Sequence, residues 1–250
     1  MKAGKKWTAA LPILAGAIWG SAGVFVRKLY AFGMDSYTIL ATKMCVGAVI
    51  LFLILLCWKP KLLRVRWQDL WIFLGSGILG MLGLNYCYNE AIRTVSMSLA
   101  AVLLGLSPIF VMLLSAVLFR EKITVRKLGC MALALVGCLL VSGVLEGSGL
   151  QWSWGGIGMG VLSAFFYALY AIFSKTASNR GYDTFTIIFY SILAISLVLL
   201  PLTDWGSFGA FLAEAPVGNT VFTLAHAAFT TILPYALYTL SQLYLDGGMV

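Results

Sequence analysis

The 250-residue chain is poor in charge. Asp, Glu, Lys and Arg make up 10% of it, against 61% hydrophobic residues, whereas soluble domains run at about 25% charged and about 45–50% apolar. So little charge cannot cover a water-soluble globule of this size, and the chain is expected in a lipid bilayer. It has one histidine, His226, and nine acidic residues, nearly all of them in loops or at the ends of apolar runs. That scarcity leaves no H-E-x-x-H motif and no cluster on which an integral-membrane enzyme would depend. No G-x-x-x-x-G-K-[ST] phosphate loop occurs either, so nothing reads as a nucleotide-driven machine. The five cysteines (Cys45, Cys57, Cys87, Cys130, Cys138) all lie in apolar runs and none forms a C-x-x-C pair. This excludes a disulfide framework and a zinc site, and no cofactor is called for.

What the chain has is length of apolar sequence. A helix crosses a bilayer with about 20 mostly apolar residues, and eight runs qualify, at roughly 9–26, 37–57, 70–89, 96–119, 127–144, 154–174, 185–202 and 219–241. Their continuity predicts helices, because barrel strands would alternate polar and apolar residues. The basic N-terminus could open a signal peptide, but its apolar run continues to Val26 and seven more follow. Lys and Arg are uneven across the short connections. Thirteen fall on the side of the N-terminus and three on the other, with Lys43 inside a run. That bias predicts a cytoplasmic N-terminus in the cell membrane. It also accounts for the basic balance without a nucleic-acid partner.

One short pattern occurs twice. "GMDSYT" (Gly33–Thr38) and "GYDTFT" (Gly181–Thr186) share Gly-x-Asp-[Ser/Thr]-aromatic-Thr at a separation of 148. Glycine suits a left-handed turn after a helix, and the Asp can cap the next one. With the N-terminus inside, the first turn faces out and the second faces in. An odd number of helices per repeat produces that, and it predicts five-helix units related by a pseudo-two-fold axis in the membrane plane. The same offset pairs Trp19 with Tyr167, Gly23 with Ala171 and Arg27 with Lys175; an offset of 150 pairs Leu82 with Ile232 and Tyr88 with Tyr238. The expected fold is thus an all-α integral membrane protein. Residues 1–145 form a first five-helix repeat, and 146–250 a second with three helices present. Internal symmetry would place two further helices beyond Val250.

The stretch "AIWGSAGVFVRK" resembles the opening helix of EamA-type members of the drug/metabolite transporter superfamily. "SMSLAAVLLGLSPIFVMLLSAVLFREKITVRKLGCMALALVGCLLVSG" is similar to their fourth and fifth helices, with a mid-helix Ser-Pro and a Glu-Lys pair in the following turn. The resemblance implies ten helices in two inverted repeats, a central cavity, and export or exchange of small metabolites such as amino acids. It leads to a secondary transporter working by alternating access, whose partners are a small-molecule substrate and the bilayer. A shortened, non-transporting membrane partner and, behind it, a membrane enzyme stand as the alternatives.

Several residues could carry transport. Lys43 lies about 9 Å along its helix at 1.5 Å per residue. An intramembrane cation costs about 2.5–3.5 kcal/mol on insertion scales. It either meets a substrate carboxylate, changes protonation in the cycle, or snorkels to the headgroups. His226 either couples transport to protons or packs against a neighbouring backbone. Asn85, Tyr88 and Asn89 share a helical face by their i, i+3, i+4 spacing, as do Tyr235, Tyr238 and Gln242. With Trp19, Tyr167 and Tyr170 they would line an aromatic, amide-rich cavity; the competing reading is an interfacial belt. Glu90 and Arg93 are expected to pair locally. Pro108 and Pro234 are expected to kink their helices. Gly16-x-x-x-Gly20 and Gly156-x-x-x-Gly160 are expected to allow close helix packing.

Overall fold

The computed structural model describes residues 10–120, 124–141, 153–234 and 237, and all regular structure among them is helical. The helices are α1 (Ala10–Gly20), α2 (Ala22–Ala31), α3 (Ser36–Trp58), α4 (Leu70–Leu74), α5 (Gly83–Thr94), α6 (Met97–Leu104), α7 (Ser107–Phe119), α8 (Val125–Val141), α9 (Trp154–Asn179), α10 (Thr184–Leu199), α11 (Trp205–Glu214) and α12 (Pro216–Ala227). Two π-helical segments, Gly75–Leu82 and Ala228–Ile232, extend α4 and α12. Five stretches are long and apolar enough to cross a membrane: Ser36–Trp58, Trp67–Thr94, Met97–Phe119, Trp154–Asn179 and Thr184–Leu202. They coincide with five of the eight apolar runs.

Some of the eight runs are not single continuous helices, for local reasons. The first is divided at Ser21, whose hydroxyl and amide both donate to the Ile18 carbonyl, at 2.7 and 3.0 Å. The run near Pro108 is divided at Gly105–Leu106, and Pro108 stands in the first turn of α7, where its missing N–H costs nothing. The last run continues into residues outside the described set. One helix was not anticipated: α11 is nucleated by Asp204, whose carboxylate accepts from the amides of Gly206 and Ser207.

The two turns have the geometry their glycines suggest. Gly33 has φ +83° and Gly181 φ +86°, a region open to glycine at little cost. Asp35 then accepts from the Thr38 amide at 3.0 Å and Asp183 from the Phe185 amide at 2.8 Å, each satisfying an orphan donor of the helix that follows.

The chain forms two compact units, Met1–Arg64 with Asp183–Val250, and Val65–Tyr182. These packing units cut across the halves expected from the sequence. In the first, the Thr186 hydroxyl donates to Leu62 O and the Tyr190 hydroxyl to Leu63 O. The Thr38 hydroxyl accepts from the Asp204 amide. Opposite ends of α3 and α10 are therefore tied together, and the two helices run antiparallel. Beside the Gly33 turn, Val26, Leu29, Met34, Ile39 and Phe211 form a buried cluster, with the Phe32 ring edge-on to Phe211 at 4.9 Å.

In the second unit, glycines let α9 approach the run from α4 to α5. A Cβ on Gly80 would lie 2.7 Å from the Tyr170 Cα, and one on Gly75 or Gly83 would stand 2.6 Å from the rings of Phe173 or Phe166. Phe166, Tyr170 and Phe173 recur at helical spacing, so one aromatic stripe fills one row of glycines. Gly156 and Gly160 meet Thr94 and Leu103 in the same way, whereas Gly16 and Gly20 meet no heavy atom within 4 Å among the described residues. Only the second Gly-x-x-x-Gly pair acts in packing here.

Candidate functional site

In the first unit, α3 and α12 bring Lys43 and His226 into the interior. Lys43 is 5% exposed and His226 is 1% exposed. The burial of Lys43 disfavours the snorkelling reading. One turn beyond Lys43, Gly47 faces Thr231, with the position of a Cβ 3.5 Å from the threonine methyl. Phe222 packs on the cluster that holds Ile39, and further along both chains Gly47 meets Thr231, so α3 runs parallel to α12 and its π-segment.

The polar groups here are incompletely used. Among the described residues, neither ring nitrogen of His226 has a hydrogen-bond partner, and the buried Thr231 hydroxyl has none either. Thr230, by contrast, donates to the His226 carbonyl at 2.7 Å. The Phe25 ring stacks on the imidazole at 5.3 Å and 17°, and Phe222 packs on Phe25 at 5.2 Å with the Lys28 ammonium over its face. Trp19, on α1 of this unit, is half-buried. Pro234, buried just after the second π-segment, leaves the carbonyl four residues back without its usual amide. Tyr235 and Tyr238 lie outside the described residues.

In the second unit, Asn85 donates from Nδ2 to the Met81 carbonyl at 2.7 Å. Tyr88 packs on the cluster of Ala91, Ile92, Val95, Leu99 and Ala100. Asn89 is 2% exposed and its Nδ2 has no partner among the described residues. Burying an amide donor unpaired costs about 1–3 kcal/mol, so Asn89 is the residue of this face that packing does not explain. On α9, Tyr167 is 38% exposed, its ring 6.5 Å from that of Tyr170, while Tyr170 also supplies the backbone against Gly80. Glu90 and Arg93 form the expected pair, at 3.3 Å.

A second cluster in this unit was not anticipated. The Asp69 carboxylate, 3% exposed, accepts from the Arg180 guanidinium and from the Tyr182 hydroxyl at 2.6 Å. The Tyr182 oxygen accepts in turn from the Arg66 amide at 3.0 Å, and its ring meets Phe73 edge-on. Burial, and then the neighbouring carboxylate, push the Tyr182 phenol above its ordinary pKa.

The EamA-like transporter family matches residues 6–143 and again 154–250. The chain belongs to that family. It is a multi-pass membrane protein, and the relatives it matches carry transporter names. It is 27% identical over 232 residues to an uncharacterized transporter of Archaeoglobus fulgidus, covering 93% of this chain and 76% of that one. It is 27% identical over 198 residues to the pseudopaline exporter CntI of Pseudomonas aeruginosa, covering 79% of this chain and 66% of the exporter. A solved crystal structure superposes with a TM-score of 0.56 at 18% identity, over 98% of this chain and 89% of the other. At that identity the likeness speaks for the fold.

Thr231 and Phe25 escaped the reading of the sequence. A Thr-Thr pair inside an apolar run was the available signal for the first. Nothing local distinguishes Phe25 from any other lipid-compatible phenylalanine. Arg180 and Tyr182 stand more than 110 residues from Asp69 along the chain, and only folding brings them to it.

Proposed function

We propose that the protein is a secondary transporter that moves small metabolites across the cytoplasmic membrane by alternating access, from a fold of two inverted repeats with the N-terminus in the cytoplasm. Membership of a transporter family supports this. So does the exporter among the relatives, which favours the outward direction. The observation that carries it is the set of buried polar groups without partners among the described residues, Asn89 and Ser174 in one unit and His226 with Thr231 in the other. A helix in lipid has no structural use for such groups, whereas a passing polar solute does.

Within that reading, Lys43 supplies charge to the substrate. Trp19, Asn85, Tyr88, Asn89, Tyr167, Tyr170, Tyr235 and Tyr238 supply stacking and amide contacts. His226 is the candidate for proton coupling, and Pro108 and Pro234 are places where helices bend. The test is efflux from liposomes containing the purified protein, loaded with labelled amino acids and short carboxylic acids. Saturable release above that of protein-free vesicles supports transport. Folded protein that releases none of them contradicts it.

A further inference from the structure

The transporter reading leaves the chemical class of the substrate open, and the interior of the first unit narrows it. The buried groups around His226 share one character. Among the described residues His226 has two ring nitrogens without partners and Thr231 one hydroxyl, each residue no more than 2% exposed. Lys43, 5% exposed, adds a positive charge from α3. The geometry of the backbone keeps these groups together. At the second π-segment the Leu233 amide donates to the Ala228 carbonyl five residues back, and that wider turn brings residues five apart, such as His226 and Thr231, towards one face. That face meets α3 at Gly47, one turn beyond Lys43.

Among the described residues, the helices α1, α2, α3, α10 and α12 contain no Asp or Glu. A ligand that brings an ammonium group would find no carboxylate on them, while a ligand that brings a carboxylate would find an ammonium, an imidazole N–H and a hydroxyl. The Phe25 ring closes the imidazole on one face. Thr231 also borders an apolar pocket of about 120 Å3 lined by Leu51, Ile54, Ile188 and Ile192, room for a short alkyl group only.

We infer that Lys43, His226 and Thr231 form a binding site for a small monocarboxylate without an ammonium group, its alkyl portion directed to the pocket beside Thr231. The proposal rests on the transporter reading for its purpose, but binding can be measured without flux. Calorimetric titration of the full chain in lipid nanodiscs with 4-methylpentanoate, leucine and 4-methylpentanol separates the possibilities. The three share a branched tail and differ in the group presented to the donors. The carboxylate is expected to bind, the alcohol and leucine at least about tenfold more weakly, the size of losing or opposing one charged hydrogen bond.

Lys43→Met and His226→Phe are expected to lower carboxylate affinity about tenfold or more, and Thr231→Val about threefold. Thr231→Val keeps the shape of the residue and so guards against variants that fail to fold. Leucine binding as tightly as the carboxylate would overturn the assigned class. Carboxylate binding unchanged in all three variants would overturn the location. No carboxylate binding by protein that releases another metabolite from liposomes would overturn the site and leave transport standing.

Discussion

The π-segments at 75–82 and 228–232 close on equivalent bonds, Gly83 N–H to Ile78 O in one and Leu233 N–H to Ala228 O in the other, 150 residues apart. Their surroundings diverge. The first is rich in glycine, and the aromatic stripe of α9 fills the space those glycines leave. Ser76, at the position corresponding to His226, donates to the Phe73 carbonyl at 3.2 Å and is fully buried. Around the second, the corresponding space holds an imidazole and a hydroxyl without a partner among the described residues. The same backbone device is packed for stability in one unit and left polar in the other. A π-turn is therefore no site in itself. What sits on it decides its use.

Four substitutions sharpen or break this contrast, each read as a thermal midpoint in the same detergent. The largest effect is expected for Gly80→Ala, because the new methyl would press on the backbone of Tyr170 and α9 would have to move. Overpacking of this kind costs about 1–3 kcal/mol, a loss of roughly 4–10 °C by soluble-protein scaling. An unchanged midpoint would mean that the first segment is not close-packed. Next is His226→Phe, which removes two unsatisfied nitrogens while keeping a ring for Phe25 to stack on. It is expected to stabilise the protein by about 1–2 kcal/mol while removing carboxylate binding. A variant that is less stable would show that the imidazole has a structural partner.

Ser76→Ala should go the other way by about 1 kcal/mol or less, since it deletes a satisfied local bond. A gain in stability there would erase the distinction between the two segments. The smallest effect is expected for Gly47→Ala, whose methyl would meet Thr231 at ordinary contact distance. Its midpoint should stay within about 2 °C, and a large fall would show that α3 and the second π-segment are as tightly fitted as the first segment and α9.

Local chemistry was legible in the sequence and distant pairing was not. The turns at Gly33 and Gly181, the caps at Asp35 and Asp183 and the Glu90–Arg93 pair each depend on residues within four positions of one another, and each stands where its pattern placed it. Five spans were readable for the same reason, as apolar content is a property of one stretch. The π-segments were not, since a wider turn depends on what packs against it. Gly75 and Gly80 hint at close approach, but only Phe173 and Tyr170 say to what. The Asp69–Arg180–Tyr182 cluster was illegible because no spacing rule links residue 69 to residue 180. Lys43 and His226 stood out singly as rare types in apolar runs, and their convergence needed the fold.

The most direct test of transport through the first unit is labelled-metabolite efflux from liposomes containing wild-type protein or Lys43→Ala, with the inserted amount of each matched. Saturable efflux by the wild type, and its loss in the inserted and folded variant, is the predicted result. Equal efflux by the two would contradict the assignment of the buried lysine to the substrate path.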